Sequence, residues 1–428
     1  MQNNRSLFID ELAWRGLLQD QTPGAVAAFV QPGARAYMGF DPTADSLHVG
    51  NLASLMLLVH LQRSGHRPLL LVGGATGMIG DPSGKRSERK LLGAEEIQHN
   101  VACIRLQLQH FLDFDGTQAA HIVDNREWFE HFRFLDFLRD VGKHMTLNYM
   151  LAKDSVQSRL ETGISYTEFS YQLLQAYDFY YLHKHHGVRV QMGGSDQWGN
   201  ITSGIELIRR IDGAEAHGLI CPLLTRADGS KFGKSEQGNI WLDARLTSPY
   251  KFYQFWLNAA DDEVGKLLKV FSLRPRAEIE QLIGEQAQNP GARIGQRALA
   301  LEMTRRIHGD AALEKAIQAS EVLFGQASLE TMQALSERDF HEIFEGVPTT
   351  QLPLSKLQEP IAIADLLADA GAVPSKSEAR RLLKGGGIRV NKQAVTETQT
   401  LGLNDLLGNR YLLLQTGKKK YHLAVFQG

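Results

Sequence analysis

Strand-like and helix-like segments alternate through the first half of this chain, and few architectures accept that alternation. ARAYMGF (34–40) reads as a strand, and a helical pattern follows from about His48 to Arg63. RPLLLVG (67–73) is a second strand, apolar without interruption. Helical periodicity returns from about Ala94 to Leu112, and AAHIVDN (119–125) is strand-like again. Long helical patterns fill the stretch between Arg126 and His185. VRVQMGG (188–194) is a further strand, and a helix starts at Gln197. Strands separated by helices build a parallel sheet covered on both faces. An unbroken apolar run suits a strand buried on both sides. The expectation is therefore an α/β chain whose first part is a Rossmann-like parallel-sheet domain.

The remaining sequence changes character twice. From about Pro249 to Phe324 the periodicity is helical, with few strand signals. Residues 325–360, which include TTQLPLSKLQEP, read as a connection. A small α+β unit follows from Ile361: two helical patterns, the turn GGG (385–387), the strand IRVN (388–391), and strands near 410–414 and 421–426. The expected divisions are 1–247 with a helical insertion at about 126–185, a helical domain at 248–324, a linker at 325–360 and a terminal domain at 361–428. The 428 residues fit about three domains at roughly 150 residues each.

Charge separates the last unit from the rest. The net charge is −2, but residues 361–428 hold 10 Lys+Arg against 5 Asp+Glu, a local +5, and the preceding residues hold 36 against 43, or −7. A basic unit on a weakly acidic body points to a polyanion as its partner. The two cysteines, Cys103 and Cys221, are far apart and match no metal-binding spacing, so a disulfide framework and a structural zinc site are not expected. Two isolated thiols suit a reducing compartment. No apolar run reaches the ~20 residues of a membrane span. The opening residues meet Asp10 and Glu11 before any apolar stretch, so no leader is expected.

Five stretches carry chemistry. Phe40-Asp41-Pro42-Thr43-Ala44-Asp45-Ser46-Leu47-His48-Val49-Gly50-Asn51 follows the first strand. Asp45 or Ser46 is placed to cap the next helix, His48 and Asn51 share a face of its first turn, and Gly50 leaves room near the backbone. A helix N-terminus at that point attracts anions. Gly73-Gly74-Ala75-Thr76-Gly77-Met78-Ile79-Gly80-Asp81-Pro82-Ser83-Gly84-Lys85 follows the second strand but matches neither GxGxxG nor GxxxxGK[ST]. It leaves a tight turn presenting Asp81, Lys85 and Arg89, where a carboxylate could hold an ammonium. In the helical segment Tyr166–Tyr180, Tyr171, Gln175 and Asp178 fall within an arc of about 60° at ~100° per residue. That arc is either a solvated stripe or the wall of a polar pocket. Gly193-Gly194-Ser195-Asp196-Gln197-Trp198-Gly199-Asn200 is another glycine-rich strand end with a carboxylate and amides. Far downstream, Lys231-Phe232-Gly233-Lys234-Ser235 sets two lysines three apart beside glycines, a double cation suited to a departing pyrophosphate.

The first and last of these resemble the HIGH and KMSKS signatures of class I aminoacyl-tRNA synthetases. With YMGFDPTADSLHVGN, GATGMIGDPSGK, TEFSYQLLQAYDF, GGSDQWGN and TRADGSKFGKS, the chain closely resembles the bacterial-type tyrosyl-tRNA synthetase family from Tyr37 to its basic tail. The resemblance implies a Rossmann-like catalytic domain, an α-helical domain and a small α+β S4-like RNA-binding domain. It also implies an ATP-dependent ligase that joins tyrosine to its tRNA through tyrosyl-adenylate, with Mg²⁺ accompanying ATP and no structural metal. A homodimer in the cytoplasm is implied, with helical residues around Phe134–Leu160 as the dimer surface. By the same resemblance, Tyr37 and Asp178 contact the substrate phenol, Asp81, Tyr171 and Gln175 hold its ammonium, and Gln197 lies by its carboxyl. Thr43, His48 and Asn51 face the ATP phosphates, with Gly39, Asp41 and Gly50 in the same ATP site. Gly194 and Asp196 take the ribose, and Leu224 lies by the adenine. Lys85, Arg89, Lys231 and Lys234, with Ser235 beside them, act where pyrophosphate departs.

Two positions depart from the signatures. Asn51 stands where the first has histidine, and KFGKS replaces KMSKS while keeping both lysines. In the tail, Lys376, Arg380, Arg381 and Lys384 span an arc of about 140° opposite Ala379, Leu382 and Leu383. With Arg389 on the next strand, they are the expected tRNA contacts. The related tryptophan enzyme fits less well, since an indole has no phenol to pair with Tyr37 and Asp178. A nicotinamide dehydrogenase lacks its GxGxxG, and a non-catalytic RNA-binding descendant would not need His48, Lys231 and Lys234.

Overall fold

The computed structural model describes residues 6–83, 92–160, 163–225, 229, 232–235, 238–324, 329–333, 335–344, 347–417 and 420–428. The chain forms two compact units: residues up to Thr247 with Phe255–Ile307, and Ser248–Gln254 with His308–Gly428.

The first unit is built on a six-stranded sheet: β1 (Asp20–Gln21), β2 (Arg35–Phe40), β3 (Arg67–Val72), β4 (His121–Asp124), β5 (Val190–Gly194) and β6 (His217–Cys221). The spatial order is β1-β6-β5-β2-β3-β4. Strands β2 to β6 run parallel to their neighbours, and β1 closes the β6 edge antiparallel. From β2 the chain moves outward to β3 and β4, then returns to the other side of β2 to lay down β5 and β6. Strand order therefore reverses between β2 and β5, where open sheets of this kind bind ligands beyond their carboxyl ends. The register widens that place. β2 pairs with β3 from Arg35↔Arg67 to Phe40↔Val72, whereas it meets β5 only through Ala36↔Val190 and Tyr37↔Gln191.

Both faces of the sheet are covered, which explains the unbroken apolar run of β3 and the complete burial of β5. One face packs under the helices Tyr166–His186 and Trp198–Asp212 in a core that includes Tyr37, Leu69, Leu71, Phe179 and Leu207. The other carries the helix Val49–Arg63, which lies over β2, β3, β5 and β6. That helix is apolar nearly all round because the helices Leu7–Arg15 and Val264–Phe271 pack on its outer side. Each fully buried leucine there, such as Leu52, Leu55 and Leu58, contributes about 1.5–3 kcal/mol.

Two local details differ from the sequence expectation. The cap of Val49–Arg63 is His48, not Asp45 or Ser46. The Ser46 hydroxyl instead donates to Leu47 O and accepts from Gln107 and Asp243, while Asp45 faces Arg245 at 3.8 Å. The continuous helical pattern at 126–185 is broken into Arg126–Phe129, Phe134–Asp140, Leu147–Leu151, Asp154–Leu160 and Tyr166–His186. The last of these starts at Ser165, whose hydroxyl accepts from the Glu168 N–H, and stops at Gly187 in the left-handed region. Its first turn is tied down by a buried two-pronged pair from Arg159 to Glu168, at 3.0 and 2.9 Å.

The second unit holds a five-stranded sheet in the order Gln393–Ala394, Ile388–Val390, Tyr411–Thr416, Lys420–Gln427, Thr349–Pro353. The last two run parallel, and the other neighbours are antiparallel. Helices Ile363–Asp369 and Lys376–Lys384 cover one face through Leu366, Leu367, Ala379 and Leu383 against Leu412 and Leu414. Phe340, Phe344 and Val322 cover the other against Tyr411, Leu413 and Val425, with Phe340 stacked on Tyr411 at 4.4 Å. Residues 325–360 are thus not a plain linker, since Thr349–Pro353 pairs along Lys420–Gln427 and Phe340 closes the second face of the sheet. Nor is 248–324 a single helical block. The helical trace Ile294–Phe324 is broken at Gly309, φ 80° and ψ 173°, beside the boundary between the units. Among the described residues no helix is long and apolar enough to cross a membrane.

Candidate active site

The strand reversal between β2 and β5 gathers the polar residues singled out above. Tyr37 is the third residue of β2, 1 % exposed, with its ring 5.4 Å from that of Phe179. Among the described residues its hydroxyl has no hydrogen-bond partner. Burial first, and then the charge of Asp178, hold the phenol well above its usual range. Asp178 itself is 2 % exposed on the helix Tyr166–His186. Its carboxylate accepts from the Trp128 indole N–H at 2.8 Å and the Asn125 amide at 3.1 Å. Burial raises its pKa well above the carboxylate range, and the two donors oppose that rise. An uncommitted hydroxyl beside a buried acceptor, inside an apolar core, is a place for one more hydroxyl.

The arc Tyr171, Gln175 and Asp178 is not a solvated stripe: Tyr171 and Asp178 are buried and Gln175 is half-buried. Tyr171 donates to Asp41 Oδ2 at 2.7 Å, and Thr76 donates to Asp41 Oδ1 at 2.9 Å. The Asn125 amide reaches both Thr76 and Asp178. One hydrogen-bonded chain therefore runs from Trp128 through Asp178, Asn125, Thr76 and Asp41 to Tyr171. A second network surrounds Asp81. Gln197 donates to its Oδ2 at 2.7 Å, Ser83 N donates to Oδ1 at 2.9 Å, and Gln175 donates to Gln197 at 3.2 Å. Asn200 donates to Gln175 Oε1 at 3.0 Å. The turn Gly73-Gly74 admits these carboxylates only because it lacks side chains. A Cβ on Gly73 would lie 2.3 Å from Asp41 Oδ1, and one on Gly74 would lie 2.2 Å from Asp124 Oδ1.

The helix N-terminus beyond β2 carries the next group. His48 N donates to Asn51 Oδ1 at 3.0 Å, so the amide in place of a histidine caps its own helix. Gly50 is exposed, and a Cβ there would lie 2.9 Å from the His48 ring and 3.4 Å from Phe232 O. His48 bridges to Trp241, whose ring lies 5.7 Å away. Gly39 and Thr43 are exposed near the end of β2. Asp196 is exposed beyond β5, where a Cβ on Gly194 would meet both Asp196 and Leu223. Leu224 O accepts from Phe232 N at 3.1 Å, which ties the segment at Leu224 to the lysine loop. Lys234 and Ser235 pair with Asn239 and Gly238 as a short antiparallel hairpin. Lys85, Arg89 and Lys231 lie outside the described residues, as do the side chains of Lys234 and Ser235.

In the tail, Lys376, Arg380, Arg381, Lys384 and Arg389 are all exposed, with Ala379 and Leu383 buried opposite. The cations are not equivalent. Lys376 pairs with Asp365 at 3.0 Å, Arg381 with Glu378 at 2.6 Å and Arg380 with Glu397 at 4.0 Å. Lys384 and Arg389 make no ion pair among the described residues.

Residues 31–325 match the family model of class I tRNA synthetases (W and Y), and residues 339–424 match that of a tyrosine–tRNA ligase SYY-like C-terminal domain. The tyrosine–tRNA ligase of Cytophaga hutchinsonii is 52% identical over 423 residues, covering 98% of this chain and 99% of its own. The chain belongs to the tyrosine–tRNA ligase family. A second member, from Porphyromonas gingivalis, is 51% identical over 428 residues, covering 98% of this chain and 100% of its own. The crystal structure of a C-terminally truncated Aspergillus nidulans mitochondrial tyrosyl-tRNA synthetase superposes with a TM-score of 0.68 at 31% identity, covering 75% of this chain and 95% of that one. The α/β fold with its parallel sheet and the ligase class read from the sequence are those of this family. Sequence reasoning did not single out Trp128, Asn125, Thr76 and Asn200, which set the geometry of the polar pocket. Asn125 and Trp128 could have been sought at the carboxyl end of strand 119–125, the edge where the other motifs gather.

Proposed function

We propose that this member of the family activates L-tyrosine with ATP and passes it to tRNA(Tyr). The buried hydroxyl of Tyr37, without a hydrogen-bond partner among the described residues and beside the Asp178 carboxylate, carries this reading. The pair suits a phenol, which accepts from Tyr37 and donates to Asp178. The ammonium group falls to Asp81, Tyr171 and Gln175, with Gln197 by the carboxyl. The substrate carboxylate then attacks the α-phosphorus of ATP, and the bond to the β-phosphate oxygen breaks. Tyrosyl-adenylate forms and pyrophosphate leaves. In the second step the terminal ribose hydroxyl of the tRNA attacks the acyl carbon, and AMP departs. No protein nucleophile is required, so the protein contributes position and charge.

His48, Asn51 and Thr43 face the phosphates at the helix N-terminus, with Gly39, Asp41 and Gly50 beside them. Gly194, Asp196 and Leu224 take the ribose and adenine. Lys85, Arg89, Lys231, Lys234 and Ser235 act on the departing pyrophosphate. Mg²⁺ enters with ATP; among the described residues no cluster of three His, Cys, Asp or Glu is placed to hold a metal. The exposed tail face from Lys376 to Arg389 meets the tRNA. The exposed apolar residues Phe134, Leu135 and Leu147 support a second copy of the chain as the partner on the helical insertion, which sedimentation would test. The free thiols Cys103 and Cys221 suit the cytoplasm.

ATP–pyrophosphate exchange with each of the twenty amino acids tests the substrate. Exchange with tyrosine is expected; exchange confined to another amino acid would overturn the reading.

A further inference from the structure

The two residues between Lys231 and Lys234 are fixed from outside their own loop. Phe232 is 7 % exposed. Its ring meets Phe255 edge-on at 5.4 Å, Trp256 tilted at 5.9 Å and Phe271 stacked at 5.8 Å. These rings belong to the helices Pro249–Leu257 and Val264–Phe271, and the second of these packs on Val49–Arg63. Gly233 has φ +84°, and a Cβ there would lie 2.7 Å from Gly50 N. Ile240 N donates to Gly233 O at 2.9 Å, and Val49 N donates to Ile240 O at 2.8 Å. The backbone between the lysines is thus laid against the first turn of the helix that His48 caps.

We propose that Phe232 is a positioning residue for adenylate formation: its aromatic seat holds Gly233 against Gly50 and so holds the backbone that leads into the two lysines of the loop. The inference rests on the functional reading above. Lysine side chains are long and have many rotamers, so their charge reaches a fixed point at low entropic cost only if the backbone carrying them is held. The seat supplies that hold without touching substrate. It lies on the outer helical layer rather than in the tyrosine pocket, so loosening it should affect the departing pyrophosphate and leave the amino acid alone. An interaction made only in the transition state appears in kcat, whereas one shared with the ground state appears in KM.

The test uses the full-length chain with F232A, F232L and F232M, measuring ATP–pyrophosphate exchange and tyrosine affinity by equilibrium dialysis. A misplacement of about 1 Å can cost on the order of 100-fold, so F232A is expected to lower kcat by about 10- to 100-fold. Tyrosine affinity should stay within about twofold, and F232M and F232L, which refill the seat in part, should recover most of the rate. An unchanged kcat in F232A overturns the proposal, as does a parallel fall of kcat and tyrosine affinity. If F232A does not fold, a rate ranking of wild type, F232M and F232L at constant tyrosine affinity supports it, and equal rates overturn it. Failure of the wild type to exchange with tyrosine would instead remove the functional reading itself.

Discussion

Replacing Trp128 by phenylalanine removes one atom group that the Asp178 carboxylate depends on. The indole N–H donates to Asp178 Oδ1 at 2.8 Å, and the ring stacks on Tyr181 at 4.4 Å. A phenylalanine ring keeps most of that stacking and loses the donor. A hydrogen bond to a charged group contributes about 1.5–3 kcal/mol. Losing that donor removes this stabilisation from the ionised form, so the carboxyl should be pushed further up. The direction follows from the donor's preference. Trp128 stabilises the ionised form and opposes the rise caused by burial, so its loss lets the pKa climb. The ionised carboxylate exists above that pKa and is the form that accepts from a phenol. Tyrosine affinity should therefore fall as the solution is acidified through the Asp178 pKa. In Trp128→Phe that acid limb should move to higher pH. Equilibrium dialysis of tyrosine across pH, compared between wild type and variant, measures it. A uniform loss of affinity with the limb unmoved would show that the indole acts only as packing.

Three further outcomes follow from other parts of the structure. Burial first, then Arg15, Arg63 and Arg306, hold His60 well below the usual imidazole range. The unfolded chain binds that proton near pH ~6.5 and the folded chain does not, so stability should be present above pH ~6.5 and fall on acidification; thermal melts of His60→Leu should show a shallower fall, and an identical slope would refute it. Glu168→Ala strands the buried guanidinium of Arg159, and breaking such a pair costs about 3–5 kcal/mol, read as a lower urea midpoint; a loss under ~1 kcal/mol would mean the pair is solvated. In the tail, Lys384→Ala and Arg389→Ala should each lower the salt slope of tRNA binding by about one, and more than Lys376→Ala or Arg381→Ala, whose cations are paired with carboxylates; equal effects at all four would mean those pairs open on binding.

The sheet strands β2, β3, β4 and β5 were legible because each stands between helical patterns or glycine-rich turns, and β3 adds an unbroken apolar run. β6 was not. HGLIC is five residues with a glycine inside and a proline just after it, and its burial comes from the neighbouring β5 rather than from any alternation of its own. Thr349–Pro353 failed for a related reason. Only Leu352 in that strand is buried, so its partner Lys420–Gln427 defines it, and a polar sequence with a proline reads as a loop. The pocket residues split in the same way. Tyr171, Gln175 and Asp178 share one helix and declare themselves by spacing. Asn125 and Trp128 act on Asp178 from about fifty residues away, and only the closure of β4 beside β3 brings them in. Asn51 looked like a substitution in a catalytic signature, but its oxygen caps the helix that presents His48.

The central claim is that the crevice between β2 and β5 reads a phenol hydroxyl through Tyr37 and Asp178. The ratio of ATP–pyrophosphate exchange efficiencies for tyrosine and phenylalanine tests it most directly, measured in the wild type and in Tyr37→Phe. Phenylalanine leaves buried polar groups unsatisfied, each costing about 1–3 kcal/mol, so removing one such group should cut the preference for tyrosine by roughly 5- to 150-fold while exchange persists. A ratio unchanged by Tyr37→Phe would place Tyr37 outside the pocket and contradict the account.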